Sequence, residues 1–253
     1  MIPEYPNAGL IPSLRELWKL SFGDTDAFLD DFFRTGYSES RCRCAVQDGR
    51  AAAALYWFDA QYQGQKFAYL YAVATHPDFR RQGLIHYLIA DTHRLLADLG
   101  YAGAMLVPAD EGLRQMYAAM DYEDCTTVSQ FVTASLAEDV SMHPINRQEY
   151  EQLRPRFLPR DGMIQAGPGL DFLDTMAKFY TGPDFLMCCA PMDDHTLRGI
   201  EYLGNPGAAP GILCALGYAQ GVFLTPGQKL PYAMLCPLQK DCPRPGYLGL
   251  ALD

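Results

Sequence analysis

Hydrophobic residues near the start of the chain recur with a helical period. They stand three or four positions apart at Leu14, Leu17, Trp18 and Phe22. This spacing predicts an amphipathic helix over residues 10–22, which Gly23 ends. Phenylalanines and leucines continue the helical spacing over residues 26–35 and predict a second, shorter helix.

The period then changes from helical to strand-like. Apolar runs separated by turn residues predict strands over 42–46, 51–58 and 67–75. Asp48-Gly49 and the segment around Gly64 supply the turns, as in β-hairpins. The sequence therefore predicts an antiparallel meander after the two helices.

A second helical stretch follows the meander, beginning at Leu84 and ending at Gly100, a residue typical of helix C-termini. Beyond it the pattern predicts a strand over 101–107, a short helix over 111–120 and a strand over 126–134. A helix that connects two neighbouring strands of one sheet is expected to make a right-handed crossover.

The composition changes near residues 133–142, and prolines and glycines become frequent after that point. Helices are predicted over 149–158, 169–179, 195–203 and 211–216. Strands are predicted over 185–190, 221–224, 232–237 and 247–252. We therefore expect two domains: residues 1–136, and a smaller α+β domain over residues 137–253.

Composition limits the function classes. The chain has 253 residues, 49% of them hydrophobic, and a formal net charge of −10. This charge argues against broad nucleic-acid binding, which needs a basic surface.

The N-terminus has no signal-peptide pattern and no apolar run is long enough to span a bilayer, so the sequence predicts a cytoplasmic protein without membrane contact. None of the eight cysteines forms a C-x-x-C pair, which argues against zinc ribbons, and several lie inside apolar runs, which favours buried reduced thiols over disulfides.

The segment 69–96 combines a buried strand, a basic turn with Gly83, and a long helix. The first N–H groups of a helix lack internal partners and lie at the positive end of its dipole. Glycine allows a ligand to approach the main chain closely, and Arg80 and Arg81 add positive charge. This arrangement predicts a phosphate-binding turn.

Two motifs in this order resemble a known family. Val73-Ala74-Thr75-His76-Pro77 and Arg80-Arg81-Gln82-Gly83-Leu84 resemble motif A of the GCN5-related N-acetyltransferases (GNAT), and LRQMYAAMDYE at 113–123 resembles that family's later helix and its "Lys-Leu-Gly-Phe-Glu"-like turn. The resemblance covers residues 10–134. It implies a mixed α/β fold, with a mostly antiparallel sheet splayed between strands 67–75 and 101–107. The chain also resembles the two-domain, Eis-like members of the family. This resemblance implies that residues 137–253 are a candidate degenerate GNAT-like half.

The resemblance also implies a site for acetyl-CoA as co-substrate and no metal. Pantetheine would bind the strand backbone and pyrophosphate the turn. The implied cofactor-binding residues are Val73, Ala74, Thr75, Arg80, Arg81, Gln82, Gly83, Leu84, Ile85 and His86. Tyr117 matches the family's general acid, which protonates the departing thiolate; an unperturbed tyrosine, with a pKa of about 10, is a donor at neutral pH. A core aromatic is the alternative interpretation of Tyr117.

This chain departs from the family pattern at two points. Ile85 stands two residues after the glycine of the turn, where the family has Gly or Ala. Strand 67–75 carries Tyr69 and Tyr71 where many relatives place a glutamate as the general base. A water relay, Asp59 and the C-terminal carboxylate at Asp253 are the candidates that remain.

The expected activity is transfer of an acetyl group from acetyl-CoA to a primary amine. Polyamine-like, aminoglycoside-like, amino-acid and peptide acceptors all remain open, as do a longer acyl chain and a homo-oligomeric state. The alternative is a non-catalytic acyl-CoA-binding sensor or interaction protein of the same fold. His86 and His93, seven residues apart on one helix, lack a third residue spaced for a metal.

Overall fold

A computed structural model of the protein describes residues 2–252. The chain divides into two compact units that interleave along the sequence. Unit 1 contains the chain up to Glu123 with Gly167–Phe172 and Leu235–Pro243; unit 2 contains Asp124–Ala166, Leu173–Met234 and the chain from Arg244 onward. The sequence, by contrast, predicts a single division at residue 136.

The helices of the described residues are α1 (Ile11–Phe22), α2 (Asp26–Asp31), α3 (Leu84–Asp98), α4 (Glu111–Ala118), α5 (Arg147–Phe157), α6 (Pro168–Leu173) and α7 (Ala209–Leu216). Three of these helices, α2, α4 and α5, begin at a residue whose side chain caps them. Thr25 caps α2 through its side chain, and Asp110 caps α4 by accepting a hydrogen bond from the Leu113 N–H. A π-helical turn, Phe32–Gly36, directly follows α2.

Most strands are short, and the two longest form one hairpin. They are β1 (Pro3–Glu4), β2 (Cys42–Gln47), β3 (Arg50–Tyr62), β4 (Gln65–Thr75), β5 (Gly103–Leu106), β6 (Glu123–Asp124), β7 (Thr127–Ala134), β8 (His143–Ile145), β9 (Ile164–Gln165), β10 (Lys178–Thr181), β11 (Phe185–Pro191), β12 (Thr196–Gly204), β13 (Gln220–Pro226), β14 (Leu230–Pro231) and β15 (Met234–Pro237).

The sheet of unit 1 runs in the order β1-β2-β3-β4-β5-β15-β6. Strands β1 to β4 pair antiparallel, whereas β4 and β5 pair in parallel. Trp18 of α1 packs its indole ring 5.3 Å from the ring of Tyr56 and 5.6 Å from that of Tyr71. An aromatic core thus covers one face of the central hairpin, and the predicted meander is confirmed.

The sheet of unit 2 runs in the order β14-β7-β13-β12-β11-β10-β8. Its strands pair antiparallel except β12 and β13, which are parallel and are connected through α7. Its core is formed by large buried side chains, among them Phe185, Tyr202 and Phe223. Strand β7 belongs to this sheet, where it pairs with β13.

The helix predicted over residues 195–203 is wrong: these residues form β12. Leu197, Ile200 and Leu203 stand three apart, which imitates a helical period. In the structure Cys188 pairs with Glu201 but Cys189 pairs with Gly199, so that Ile200 is an extra residue in β12. A bulge of this kind interrupts strand alternation, and pairing on both edges overrides the local pattern.

Two further predictions need correction. The helix predicted over 169–179 ends at Leu173, and Lys178–Thr181 is a strand paired with β11. Residues 247–252 do not form the predicted strand; Tyr247 makes one isolated bridge with Gly162. Instead, the Gln165 side chain hydrogen-bonds both the C=O and the N–H of Leu250.

A buried ion pair lies at the centre of unit 2. Arg154 on α5 and Glu201 on β12 are 2% and 0% exposed, and Nε and Nη2 of Arg154 lie 2.7 and 2.8 Å from the carboxylate oxygens. The hydroxyl groups of Tyr150 and Tyr247 also donate to this carboxylate. A buried charge pair is tolerated when its remaining hydrogen-bonding capacity is satisfied, as it is here.

No helix in the described part of the chain has both the length and the apolar character needed to cross a membrane.

Candidate functional site

Strand β4 contains a bulge at Ala72. Ala54 of β3 pairs with Ala74 and Tyr56 pairs with Tyr71, so Leu55 alone faces two residues of β4. Ala72 has a φ of 48°, in the left-handed region that alanine rarely adopts. Such backbone strain is concentrated at functional sites. The bulge redirects the backbone of β4 just before residues 73–75.

Strands β4 and β5 separate close to this bulge. Their parallel pairing is recorded from Phe67 with Gly103 to Tyr69 with Met105. Beyond Tyr69, β4 continues to Thr75, whereas β5 ends at Leu106. The pairing of the two strands therefore ends at Tyr69, before the bulge, on the side where the family resemblance implies the splay.

The loop after β4 leads into the N-terminus of α3. Gly83 precedes the helix with a φ of 74° and no described side chain caps this end. Because the first N–H groups of a helix have no internal acceptors, this end presents donors and a positive dipole to a ligand. The Arg80 guanidinium donates from Nε to the Thr75 carbonyl oxygen at 3.1 Å, which ties the loop to the end of β4.

A cavity of about 560 Å³ joins these elements within unit 1. Of the cofactor-binding residues predicted from the sequence, Val73, Ala74, Thr75, Arg80, Arg81, Gly83, Leu84, Ile85 and His86 line it. Gln82 is not among the lining residues, and its side-chain amide nitrogen lies 3.5 Å from the Asp78 carbonyl oxygen. Ile85 is half-buried at the wall of the cavity.

Helix α4 carries Tyr117 to the same cavity. Tyr117 is 6% exposed and lines the cavity together with Leu113 and Met116. These three positions lie on one face of α4, because residues three and four apart are neighbours on a helix. The structure thus brings the predicted general acid and the predicted phosphate turn together.

Sequence reasoning did not assign several lining residues. They are Ser21, Phe22, Phe79, Leu113 and Met116. Leu113 and Met116 follow from Tyr117 by helical spacing, so that signal was available. Ser21 and Phe22 end α1, far from the motifs along the chain, and no local pattern indicates them.

The candidate general base Asp59 lies away from the cavity. Asp59 pairs with Ala68 near the start of β4, and its carboxylate accepts a hydrogen bond from Tyr101 Oη at 2.5 Å and lies 3.3 Å from Arg41 Nε. It does not line the cavity. Asp253 lies outside the described residues. Among the described residues that line the cavity, none carries a carboxylate side chain.

The two histidines of α3 occupy different environments. His86 is exposed at the cavity, whereas the His93 side chain is largely buried and hydrogen-bonds Tyr122. Within residues 2–252, no group of three His, Cys, Asp or Glu residues is placed to hold a metal ion.

One cavity combines a bulged strand, the end of a parallel strand pair and a helix N-terminus. This combination agrees with the family resemblance found in the sequence. The family model of the acetyltransferase (GNAT) domain matches residues 5–125. These residues belong to the GNAT family. The two mostly antiparallel sheets and their helices confirm the predicted mixed α/β fold class.

Solved GNAT structures share this fold across both units of the chain. A GCN5-related N-acetyltransferase from Anabaena variabilis has a TM-score of 0.76 and 13% identity, covering 94% of this chain and 73% of its own. Eis1 from Mycobacterium abscessus has a TM-score of 0.67 and 11% identity, covering 94% and 74%. A tandem GNAT protein from the clavulanic acid biosynthesis pathway has a TM-score of 0.59 and 13% identity, covering 95% and 100%. A search of the curated proteins finds no match.

At these identities the structures establish the fold alone. Membership of the GNAT family supports an acyltransferase activity that draws its acyl group from an acyl-CoA.

Proposed function

We propose that this protein transfers an acetyl group from acetyl-CoA to a primary amine. The observation that carries the proposal is the single cavity that joins the bulged end of β4, the uncapped N-terminus of α3 and Tyr117. A donor-rich helix end suits the pyrophosphate of CoA, and the exposed β4 backbone suits its pantetheine amides. Arg80 and Arg81 add charge-assisted contacts with the phosphates.

The chemistry needs three functions, and the cavity offers groups for two of them. Backbone N–H groups near the Ala72 bulge polarise the thioester carbonyl as negative charge develops on its oxygen. The amine attacks this carbon, the C–S bond breaks, and Tyr117 gives its proton to the departing thiolate. The proton lost by the amine passes to water, because the described lining residues carry no carboxylate and His86 is assigned to the phosphate turn.

Replacing the proposed acid tests the mechanism. Tyr117→Phe removes the hydroxyl group and keeps the ring, so we expect kcat to fall roughly 10²-fold or more while the Kd for acetyl-CoA changes little. Turnover is measured by thiol release with a panel of amines, and binding by calorimetry. Tyr87→Phe is the matched control, since Tyr87 is exposed on α3 and does not line the cavity. Unchanged turnover in Tyr117→Phe would refute this mechanism.

A second candidate is a non-catalytic acyl-CoA sensor. The lack of a carboxylate among the described lining residues favours it, because no side chain there resembles the usual base. A sensor would bind acetyl-CoA and release no thiol with any amine. Wild-type turnover decides between the two candidates.

The length of the acyl chain that the cavity accepts is a separate question. Phe22, Leu113 and Met116 supply apolar wall to the cavity, so longer acyl-CoAs belong in the same experiment. Thermal-shift titration with acetyl-CoA and longer acyl-CoAs ranks the donors. No shift with any CoA ester would contradict both the enzyme and the sensor.

We further propose that residues 137–253 contain a degenerate GNAT-like half. The strand order β8-β10-β11-β12 followed by a parallel β13 repeats the order β1-β2-β3-β4 followed by a parallel β5. In each case a helix connects the parallel pair, and the strand before that helix carries one extra residue.

A further inference from the structure

His93, Tyr122 and Cys236 form a polar cluster inside unit 1, beside the ring of Tyr117. His93 lies in the middle of α3, and its Nε2 is 2.8 Å from the hydroxyl oxygen of Tyr122. Its Nδ1 is 3.7 Å from the sulfur of Cys236. The ring of Tyr122 meets the ring of Tyr117 edge-on, with centroids 5.7 Å apart.

The cluster connects the two helices that build the cavity. Helix α3 begins at the loop that lines the cavity, and α4 carries Tyr117. The chain turns immediately after α4, where the N–H groups of Met120 and Tyr122 donate to the Tyr117 carbonyl oxygen at 2.8 and 3.2 Å. A displacement of Tyr122 would therefore move both the backbone and the ring environment of Tyr117.

The hydrogen bond between His93 and Tyr122 joins two uncharged groups. Burial lowers the pKa of His93 to about 4, and burial raises the pKa of Tyr122 well above its usual value. Tyr122 is 2% exposed, so water cannot readily replace a lost partner.

Resting on the proposed function, we propose that His93 and Tyr122 are positioning residues for the general acid. Their hydrogen bond ties the turn behind Tyr117 to α3, which begins after residues 76–83, the segment we propose to hold the phosphates of acetyl-CoA and call the cofactor loop. Near-attack geometry is sensitive to small displacements, so a fixed distance between α3 and this turn matters for proton transfer to the thiolate. This distance matters less for the binding of acyl-CoA, because the cofactor loop and β4 make the proposed contacts with it.

Three variants separate positioning from stability: Tyr122→Phe, His93→Leu and the double variant. His93→Leu leaves the buried Tyr122 hydroxyl group without this partner, and Tyr122→Phe does the same to Nε2 of the half-buried His93, so we expect each single change to lower the unfolding temperature. The double change removes both groups, which is often nearly neutral for stability. For all three we expect kcat to fall roughly tenfold, with the Kd for acetyl-CoA within about twofold of wild type.

Tyr101→Phe is the matched control. Tyr101 is also buried and donates to Asp59, but it does not line the cavity. We expect a comparable fall in unfolding temperature with kcat unchanged.

The outcomes are distinct. A double variant with wild-type kcat would show that the pair only stabilises the fold, and would overturn the inference. An unchanged kcat in Tyr122→Phe would also overturn it. If the wild type releases no thiol with any amine, the proposed function itself fails. If the wild type is active but Tyr117→Phe keeps full turnover, the acid role of Tyr117 fails, and the positioning role falls with it. Both proposals are supported if the double variant regains the stability of the wild type but keeps a lowered kcat, and if Tyr117→Phe loses most of its turnover.

Discussion

At the scale of single residues, His93 makes stability depend on pH. Burial holds its pKa near 4, below the value of about 6.5 expected in the unfolded chain. Between these values the unfolded state binds more protons than the folded state, so stability falls as pH falls. Between pH 7 and pH 5 we expect a loss of about 2 kcal/mol from this group.

Urea unfolding at both pH values measures this loss. His93→Gln removes the titrating group and keeps an amide near Tyr122, so its stability should change less between pH 7 and pH 5 than that of the wild type. His86→Gln, on the exposed turn of the same helix, should keep the wild-type dependence. If His93→Gln loses as much stability between pH 7 and pH 5 as the wild type, a group other than His93 causes the pH dependence.

At the scale of elements, the cofactor loop depends on a left-handed residue where α3 begins. Gly83 has a φ of 74°, and Gly100 at the other end of the same helix has a φ of 78°. Alanine at either position adopts this conformation at a cost of about 1 kcal/mol. Gly83 also lines the cavity, whereas Gly100 does not.

Gly83→Ala and Gly100→Ala therefore form a matched pair. We expect similar losses of stability by urea unfolding. The Kd for acetyl-CoA should rise about tenfold or more in Gly83→Ala alone, a loss of about 1.4 kcal/mol, because the added methyl group occupies space beside the phosphates. Calorimetry checks this, and equal affinities in the two variants would contradict a phosphate site at this loop.

Sequence patterns located most elements of unit 1 because its motifs are local. The strand, turn and helix of 69–96 are contiguous, and Tyr117 lies on a helix with a clear cap at Asp110. The errors arose where distant segments decide the structure. Strand β12 is set by pairing with β11 and β13, and its bulge at Ile200 hides the strand period.

The same reason explains what the sequence missed at the site. Ser21 and Phe22 reach the cavity through the packing of α1, which no nearby residue specifies. The bulge at Ala72 also has no local signal, because alanine neither requires nor favours a positive φ. Asp59 was a reasonable base by residue type, but the register of β3 places it opposite Ala68, away from the cavity.

At the scale of the whole molecule, two similar sheets raise the question of a second acyl-CoA site. In unit 2 the turn before α7 borders a cavity of about 410 Å³, in the topological position that the cofactor loop holds in unit 1. Among the described residues, its lining includes Glu138, Asp139 and Asp184 and no Lys or Arg. Carboxylates repel the phosphates of CoA.

We therefore expect one acetyl-CoA per chain, bound in unit 1. Calorimetric titration should give a stoichiometry near one. Arg81→Glu places a negative charge in the unit 1 loop and should weaken all binding, whereas Asp184→Asn should leave stoichiometry and affinity unchanged. Two sites per chain, or binding that survives Arg81→Glu and is lost in Asp184→Asn, would instead give unit 2 a cofactor site of its own. We therefore expect the charge of the residues that line each cavity, rather than the strand order that the two sheets share, to decide which unit binds acetyl-CoA.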